Sequence, residues 1–290
     1  MRHVGRRLLS AVALSFALAA CGQAAPEHGG TSGPPALGVG HVHGVGVDPA
    51  DGVLYVAGHY GLFTVTSPTT VARVADRNQD HMGFTITGPK TFLASGHPAA
   101  EDVSSDRPPH LGLVRSTDAG LTWKTISQDG SADFHSLQLA GENLYAFDSQ
   151  TSKVWRSGDG GANWTQGAED KILDLGVSAD EPTRLYATTP EGLKVSEDGG
   201  ANFAEVTTAP LLSHVDVLAT GLIVGAGADG RIHTSQDAGK TWTAVGKLPG
   251  QASAFTAVDR QRLLAALDDG TVLESKDGGK TFTTAFAPVN

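Results

Sequence analysis

Ser157-Gly158-Asp159-Gly160-Gly161-Ala162-Asn163-Trp164 is one of five variants of a single unit. The others begin at Ser116, Ser196, Ser235 and Ser275, at spacings of 41, 39, 39 and 40 residues. Each copy places Asp two residues after Ser: Asp118, Asp159, Asp198, Asp237 and Asp277. Gly follows two residues later, and each copy closes on Trp or Phe. Asp side chains hydrogen-bond backbone N–H groups ahead of them, and Gly supplies positive φ, so the unit reads as a turn. The closing aromatic packs that turn onto its own sheet. A period near 40 residues marks a stack of repeated sheets rather than one continuous sheet.

The unit resembles the Asp-box, S-x-D-x-G-x-T-W, also called the BNR repeat. That resemblance extends over most of the chain and places it with sialidase-like, sortilin-like and WD40-YVTN-BNR-like β-propellers. It implies an all-β propeller with the boxes in the turns between the third and fourth strands of each blade. In that superfamily the box is a folding device, so the five Asp residues are expected to be structural.

Around the boxes the segments run four to seven residues, alternate apolar and polar, and are punctuated by Gly, Pro, Asp and Asn, which reads as strands. Phe134 to Gly167 gives one repeat: an inner strand A, then B and C, the box, and strand D. Six units fit, with A strands near 42–48, 82–87, 134–139, 172–177, 214–219 and 254–258. The first lacks a box, and Thr66-Ser67-Pro68 stands in its place. Seven blades remain open if blade boundaries are shared at ring closure. The second unit carries an extra charged, Pro-rich segment from His97 to His110, read as a loop.

Three parts are expected. Residues 1–20 read as an export signal, with Arg2, Arg6 and Arg7 before an apolar stretch too short for a permanent span. Leu18-Ala19-Ala20-Cys21 resembles a bacterial lipobox, which implies a lipidated Cys21 and anchorage on the extracytoplasmic side of a bacterial membrane, in the cell envelope. Residues 21–38 are a flexible tether, and 39–290 the propeller. Cys21 is the only cysteine, which excludes an intramolecular disulfide and argues against a thiol enzyme. Beyond the signal the chain holds 18 Lys and Arg against 31 Asp and Glu, a formal charge of −13. That balance argues against nucleic acid as a partner. The expected state is a monomer.

The alternation of strand directions puts the A starts and the B–C loops at one end of the ring, opposite the boxes. Of 11 His residues, eight map there. His41 and His43 precede or open the first A strand, and His59 follows the first B strand. His81 and Met82 open the second A strand, and His97 follows its B strand. His110 ends the inserted loop, His135 opens the third A strand, and His214 the fifth. In His41-Val42-His43 the imidazoles are two residues apart and share one side of an extended strand. Neutral imidazole suits Zn, Cu, Ni or Fe, and Met82 would add a soft ligand for Cu(I). Asp80, Asp133 and Asp148 are expected to hold the distal N–H groups of the rings. The bland alternative is a wet channel in which these rings bond backbone carbonyls.

The expected function is therefore an envelope-anchored propeller binding a small ligand or a metal, Zn or Cu, at a His-rich channel mouth. Two other readings stand beside it. One is a glycosyl hydrolase-like enzyme using channel carboxylates, with Asp80, Asp102, Asp148 and Asp174 as candidates and no spacing that singles out a pair. True sialidase activity is not expected: there is no Arg-Ile-Pro motif, and Arg115 and Arg156 precede boxes in a blade-packing position. The other is a non-catalytic scaffold for an envelope protein.

Overall fold

The computed structural model describes residues 38–99, 102 and 109–288. The expected signal, Cys21 and almost all of the tether lie outside these residues. Among the described residues there is no α-helix, and no helix is long and apolar enough to cross a membrane.

Six four-stranded antiparallel sheets follow one another along the chain. Their inner strands are β1 (Val42–Val47), β5 (Asp80–Gly88), β9 (Phe134–Ala140), β13 (Asp174–Ser178), β17 (Leu212–Val217) and β21 (Ala252–Ala257). Each blade consists of four consecutive strands, hydrogen-bonded in sequence order. The blade number is therefore six, with no strand shared at closure. The ring closes instead through packing of β1 against β21, with Thr256 Oγ1 donating to Val45 O at 2.8 Å and Ala287 N to Pro68 O at 2.9 Å. Phe286 on the last strand, β24 (Thr283–Phe286), is buried in a cluster with Val42, Val56 and Phe63 of the first blade.

The core lies between blades. Each second strand is apolar on both faces, because each face meets a neighbouring sheet. β2 (Leu54–Gly58) is buried at all five positions. Successive apolar clusters then join blade 3 to blade 4, 4 to 5 and 5 to 6. Such burial is worth about 25 cal/mol per Å² of apolar surface.

The repeated Ser–Asp turns have a common geometry. Ser157 Oγ donates to Asp159 Oδ1 at 2.8 Å and accepts Gly161 N at 2.9 Å. Asp159 accepts Asn163 N at 2.9 Å and Asn163 Nδ2 at 2.7 Å. These donors, first the Asn163 backbone and then its side chain and Ser157, hold the Asp159 carboxyl down at about 2. The turns at Ser116, Ser196, Ser235 and Ser275 repeat the Ser-to-Asp and Gly-to-Ser bonds at 2.7–2.9 Å. The glycine also reaches the preceding blade. A Cβ on Gly161 would lie 2.1 Å from Leu113 Cδ2, and one on Gly120 would lie 2.4 Å from Leu62 Cδ2. Gly200 O accepts Ala168 N at 2.8 Å, and Gly239 O accepts Thr208 Oγ1 at 2.6 Å. Each turn thus fastens its blade to the one before it. The first blade has no such turn, and a tight connection joins β3 (Gly61–Ser67) to β4 (Thr70–Arg73).

Candidate metal centre at the channel mouth

Five of the six inner strands begin with a β-bulge, which re-aims a side chain; β13 starts in regular register. In blade 1 the register moves from Val42↔Gly58 to Gly44↔Ala57, leaving His43 as the extra residue. In blade 2 it moves from His81↔Gly96 to Gly83↔Ser95, leaving Met82. In blade 3 it moves from Phe134↔Asp148 to Ser136↔Phe147, leaving His135. These three bulged residues line a central cavity of about 630 Å³. The bulges make the blades comparable position by position. His41, Asp80 and Asp133 precede the bulge by two residues. His59, His97 and Ser149 follow the second strand and lie opposite them: His59 N donates to His41 O, Asp80 pairs with His97, and Ser149 N donates to Asp133 O.

At the first blade junction three rings meet. The ring centroids of His41 and His43 are 4.8 Å apart, those of His43 and His59 are 4.8 Å apart, and those of His41 and His59 are 5.7 Å apart. Asp80 enters from blade 2, with Oδ1 3.9 Å from His43 Nε2. One ligand atom each from His43, His59 and Asp80 lies within 4.8 Å of the others. His43 Nε2 and Asp80 Oδ1 are both buried and neither has a hydrogen-bond partner. Buried polar atoms normally find one, so this facing pair is unusual. Burial, and then the neighbouring His59, His41, His135 and His97, push the His43 imidazole down to about 3. His43 is therefore neutral, the form that binds metals.

At the second junction His97, His110 and Asp133 form a matching group within 4.8 Å. Asp133 Oδ2 lies 3.6 Å from His97 Nε2 and 3.9 Å from His110 Nδ1. It also takes His135 Nε2 at 3.0 Å and Ser149 Oγ at 2.9 Å. Burial alone would raise Asp133; the hydrogen bonds and charges of His135, Ser149 and His97 outweigh it and leave the carboxyl below its ordinary value. Asp80 Oδ2 faces His97 Nδ1 at 3.4 Å, so His97 stands between the two carboxylates.

The structure alters several sequence-based expectations. His81 is not in the cluster. It occupies the position of Val42 and Phe134, is 2% exposed, and packs its ring 5.2 Å from that of Trp123. The bulge turns its neighbours toward the channel and leaves it in the core, where burial lowers its pKa to about 4. Met82 lines the cavity, beside the bulged residues of blades 1 and 3. Asp80 and Asp133, expected behind the rings, stand beside them as potential ligands. Asp148 holds a backbone rather than a ring: Oδ1 accepts Asp133 N at 2.9 Å, and Oδ2 accepts Thr151 N and Oγ1 at 3.0 and 2.6 Å. His214 lies apart, on β17, with Nδ1 3.1 Å from Ser213 Oγ. The five Asp of the Ser–Asp turns, Asp118 to Asp277, bond within their own turns.

Two further carboxylates line the channel. Asp174 accepts Ser136 Oγ at 3.2 Å and Val215 N at 3.1 Å, and Asp216 accepts Ala257 N at 2.9 Å. Each ties its inner strand to a neighbouring one. Burial raises Asp174 to about 7 and Asp216 to about 6. Asp174 was a candidate only as a member of a crude list. No motif or spacing in the sequence marks Asp216, which lies near the end of β17.

No family model matches the chain, and no curated relative matches it. Solved structures do. One titled "YCF48 bound to D1 peptide" aligns at 17% identity and TM-score 0.51, covering 85% of this chain and 82% of that one. The nidogen/laminin complex aligns at 15% identity and TM-score 0.62, covering 81% and 93%. The GH74 xyloglucanase from Xanthomonas campestris aligns at 20% identity and TM-score 0.54, covering 85% of this chain and 45% of that enzyme. The chain thus spans under half of the enzyme's length. At these identities the likeness shows the β-propeller fold.

Proposed function

We propose that this protein is an envelope-anchored lipoprotein that binds a transition-metal ion at the mouth of its propeller, through His43, His59 and Asp80. The observation that carries this reading is the facing pair of His43 Nε2 and Asp80 Oδ1, 3.9 Å apart, both buried and both without a hydrogen-bond partner. A hydrogen bond would draw such a pair to about 3 Å. An ion held at about 2.0–2.2 Å from imidazole nitrogen and carboxylate oxygen accounts for the wider gap. Two imidazoles and one carboxylate suit Zn, Ni, Fe(II) or Cu(II) better than Mg or Ca. Three protein ligands leave a further coordination position toward the cavity for water or a small ligand. The Cys21 lipid anchor, the extracytoplasmic location and the superfamily likeness of the Ser–Asp turns belong to this proposal and rest on the sequence.

The test is the metal content of the full chain, purified without a polyhistidine tag or chelator and then exposed to Zn or Cu and desalted. Retained metal that is lost in His43→Ala, with the variant still folded by circular dichroism, supports the reading. Absence of retained metal, together with a melting temperature unmoved by Zn or Cu, refutes it.

A second reading is a non-catalytic platform for an extended peptide. Leu173 and Leu211, at the inner-strand starts of blades 4 and 5, are 51% and 57% exposed on the same end of the ring. Exposed apolar side chains beside a polar mouth suit a protein partner, and one similar propeller was solved with a peptide bound. Peptide binding by the parent chain that is lost in Leu173→Ser and Leu211→Ser would support it, and no peptide binding by the parent chain would refute it.

A further inference from the structure

We infer that the mouth holds a second metal ion, at the next blade junction, bound by His97, His110 and Asp133. This rests on the reading of the first junction as a metal site and extends it. The two junctions are built from equivalent positions. His97 is the last residue of the second strand of blade 2, and His59 directly follows that of blade 1. Asp133 opens blade 3 as Asp80 opens blade 2. One position breaks the equivalence. Where blade 1 bulges out His43, blade 2 bulges out Met82, a thioether in place of an imidazole.

The inserted segment of blade 2 supplies the missing imidazole. Leu111 N donates to Gly96 O at 2.8 Å, and Gly130 N donates to His110 O at 2.9 Å. These bonds pin His110 between the end of the second strand and the approach to blade 3, with its ring centroid 5.5 Å from that of His97. His110 Nδ1 is buried without a hydrogen-bond partner, and so is Asp133 Oδ1 on a residue only 3% exposed. Both junctions thus hold a buried imidazole nitrogen and a buried carboxylate oxygen without partners, although at the second the oxygen nearest His110 Nδ1 is Asp133 Oδ2, which already accepts His135 and Ser149. The third junction lacks this arrangement, since Ser149 stands where His59 and His97 stand and Leu173 leads into blade 4.

The two sites touch through one contact. Asp80 directs Oδ1 to the first group and Oδ2 to His97 Nδ1 at 3.4 Å. His97 directs Nε2 to the second group, 3.6 Å from Asp133 Oδ2. A ring that ligates through one nitrogen and donates its other N–H to a carboxylate is held in tautomer and orientation by that carboxylate. Here the carboxylate is itself a ligand of the first ion. Two dications so close repel, so the second ion binds more weakly than the first.

The experiment is a stoichiometric titration of the full, untagged chain with Cu(II), read by elemental analysis after desalting and by electron paramagnetic resonance. The expected result is two equivalents bound in two resolved steps, with dipolar broadening of the signal once the second enters. His110→Gln, or Asp133→Asn as an independent second variant, should leave one equivalent and a narrow signal. His43→Ala should also leave one, at the other junction. One equivalent in the parent chain, abolished by His43→Ala and unchanged by His110→Gln, would overturn the second site and leave the first standing. No bound metal in the parent chain would overturn both.

Discussion

Asp148 holds Asp133 by its backbone: Asp148 Oδ1 accepts the Asp133 N–H at 2.9 Å, while its other oxygen grips Thr151. A fully buried carboxylate thus sets where Asp133 leads into its strand. Asp148→Ala strands the Asp133 N–H and frees the loop. A buried donor left unpaired costs about 1–3 kcal/mol. The variant should melt several degrees lower and lose the metal of the second junction while keeping that of the first. Differential scanning calorimetry with elemental analysis checks both.

Gly160 and Gly161 separate backbone strain from packing. Both have positive φ, 71° and 90°. A Cβ on Gly160 meets nothing within 4 Å, whereas one on Gly161 meets Leu113 at 2.1 Å. Gly160→Ala should cost about 1–2 kcal/mol, the left-handed penalty alone. Gly161→Ala adds a clash with the preceding blade, about 1–3 kcal/mol more. Urea midpoints of the two variants, measured side by side, test whether the turn acts as an inter-blade fastener.

Asp174 makes stability fall as pH rises. Its folded pKa is raised from 3.8 to about 7 by burial, with opposing hydrogen bonds from Val215, Leu175 and Ser136. Between those values the native state keeps a proton that the unfolded state has lost, so stability declines through that window. The Asp216 carboxyl, raised to about 6, faces the same channel and adds to the slope. Asp174→Asn should melt close to the parent at pH 4 and several degrees above it at pH 8, a gain of up to about 4 kcal/mol. Equal melting temperatures at pH 8 would contradict this account.

Phe286 closes the ring. It is buried among residues of blades 6 and 1, where no strand is shared. Phe286→Ala should cost about 3–5 kcal/mol. Because this seam joins the first blade to the last, hydrogen exchange should rise first in β1 and β24.

Zn or Cu should raise the melting temperature of the parent chain. Free metal at 100 times its dissociation constant adds about 2.7 kcal/mol per site. A chelator should reverse the shift, and His43→Ala should reduce it. His81→Ala should leave it intact, although it will lower the starting stability by opening space beside Trp123.

The sequence by itself determined the blade count to within one, the strand order, the place of every Ser–Asp turn and the end of the ring where the histidines collect. Those features follow from local chemistry repeated at a fixed period: a Ser–Asp–Gly turn bonds within eight residues, so its reading needs no distant partner. Strand alternation then converts order into ends. The tertiary structure alone decided which side chains meet. His81 was read as facing the channel because strand direction places it at the mouth, yet the bulge at Met82 leaves it in the core against Trp123. Asp80 and Asp133 were placed behind the rings, whereas the approach of adjacent blades sets them beside His43 and His97. Asp216 gained its raised pKa from enclosure by six inner strands, which no neighbouring residue in sequence reports. A bulge rotates a side chain without changing its position in the chain, and a blade junction joins residues some 40 positions apart; both are properties of the packed ring.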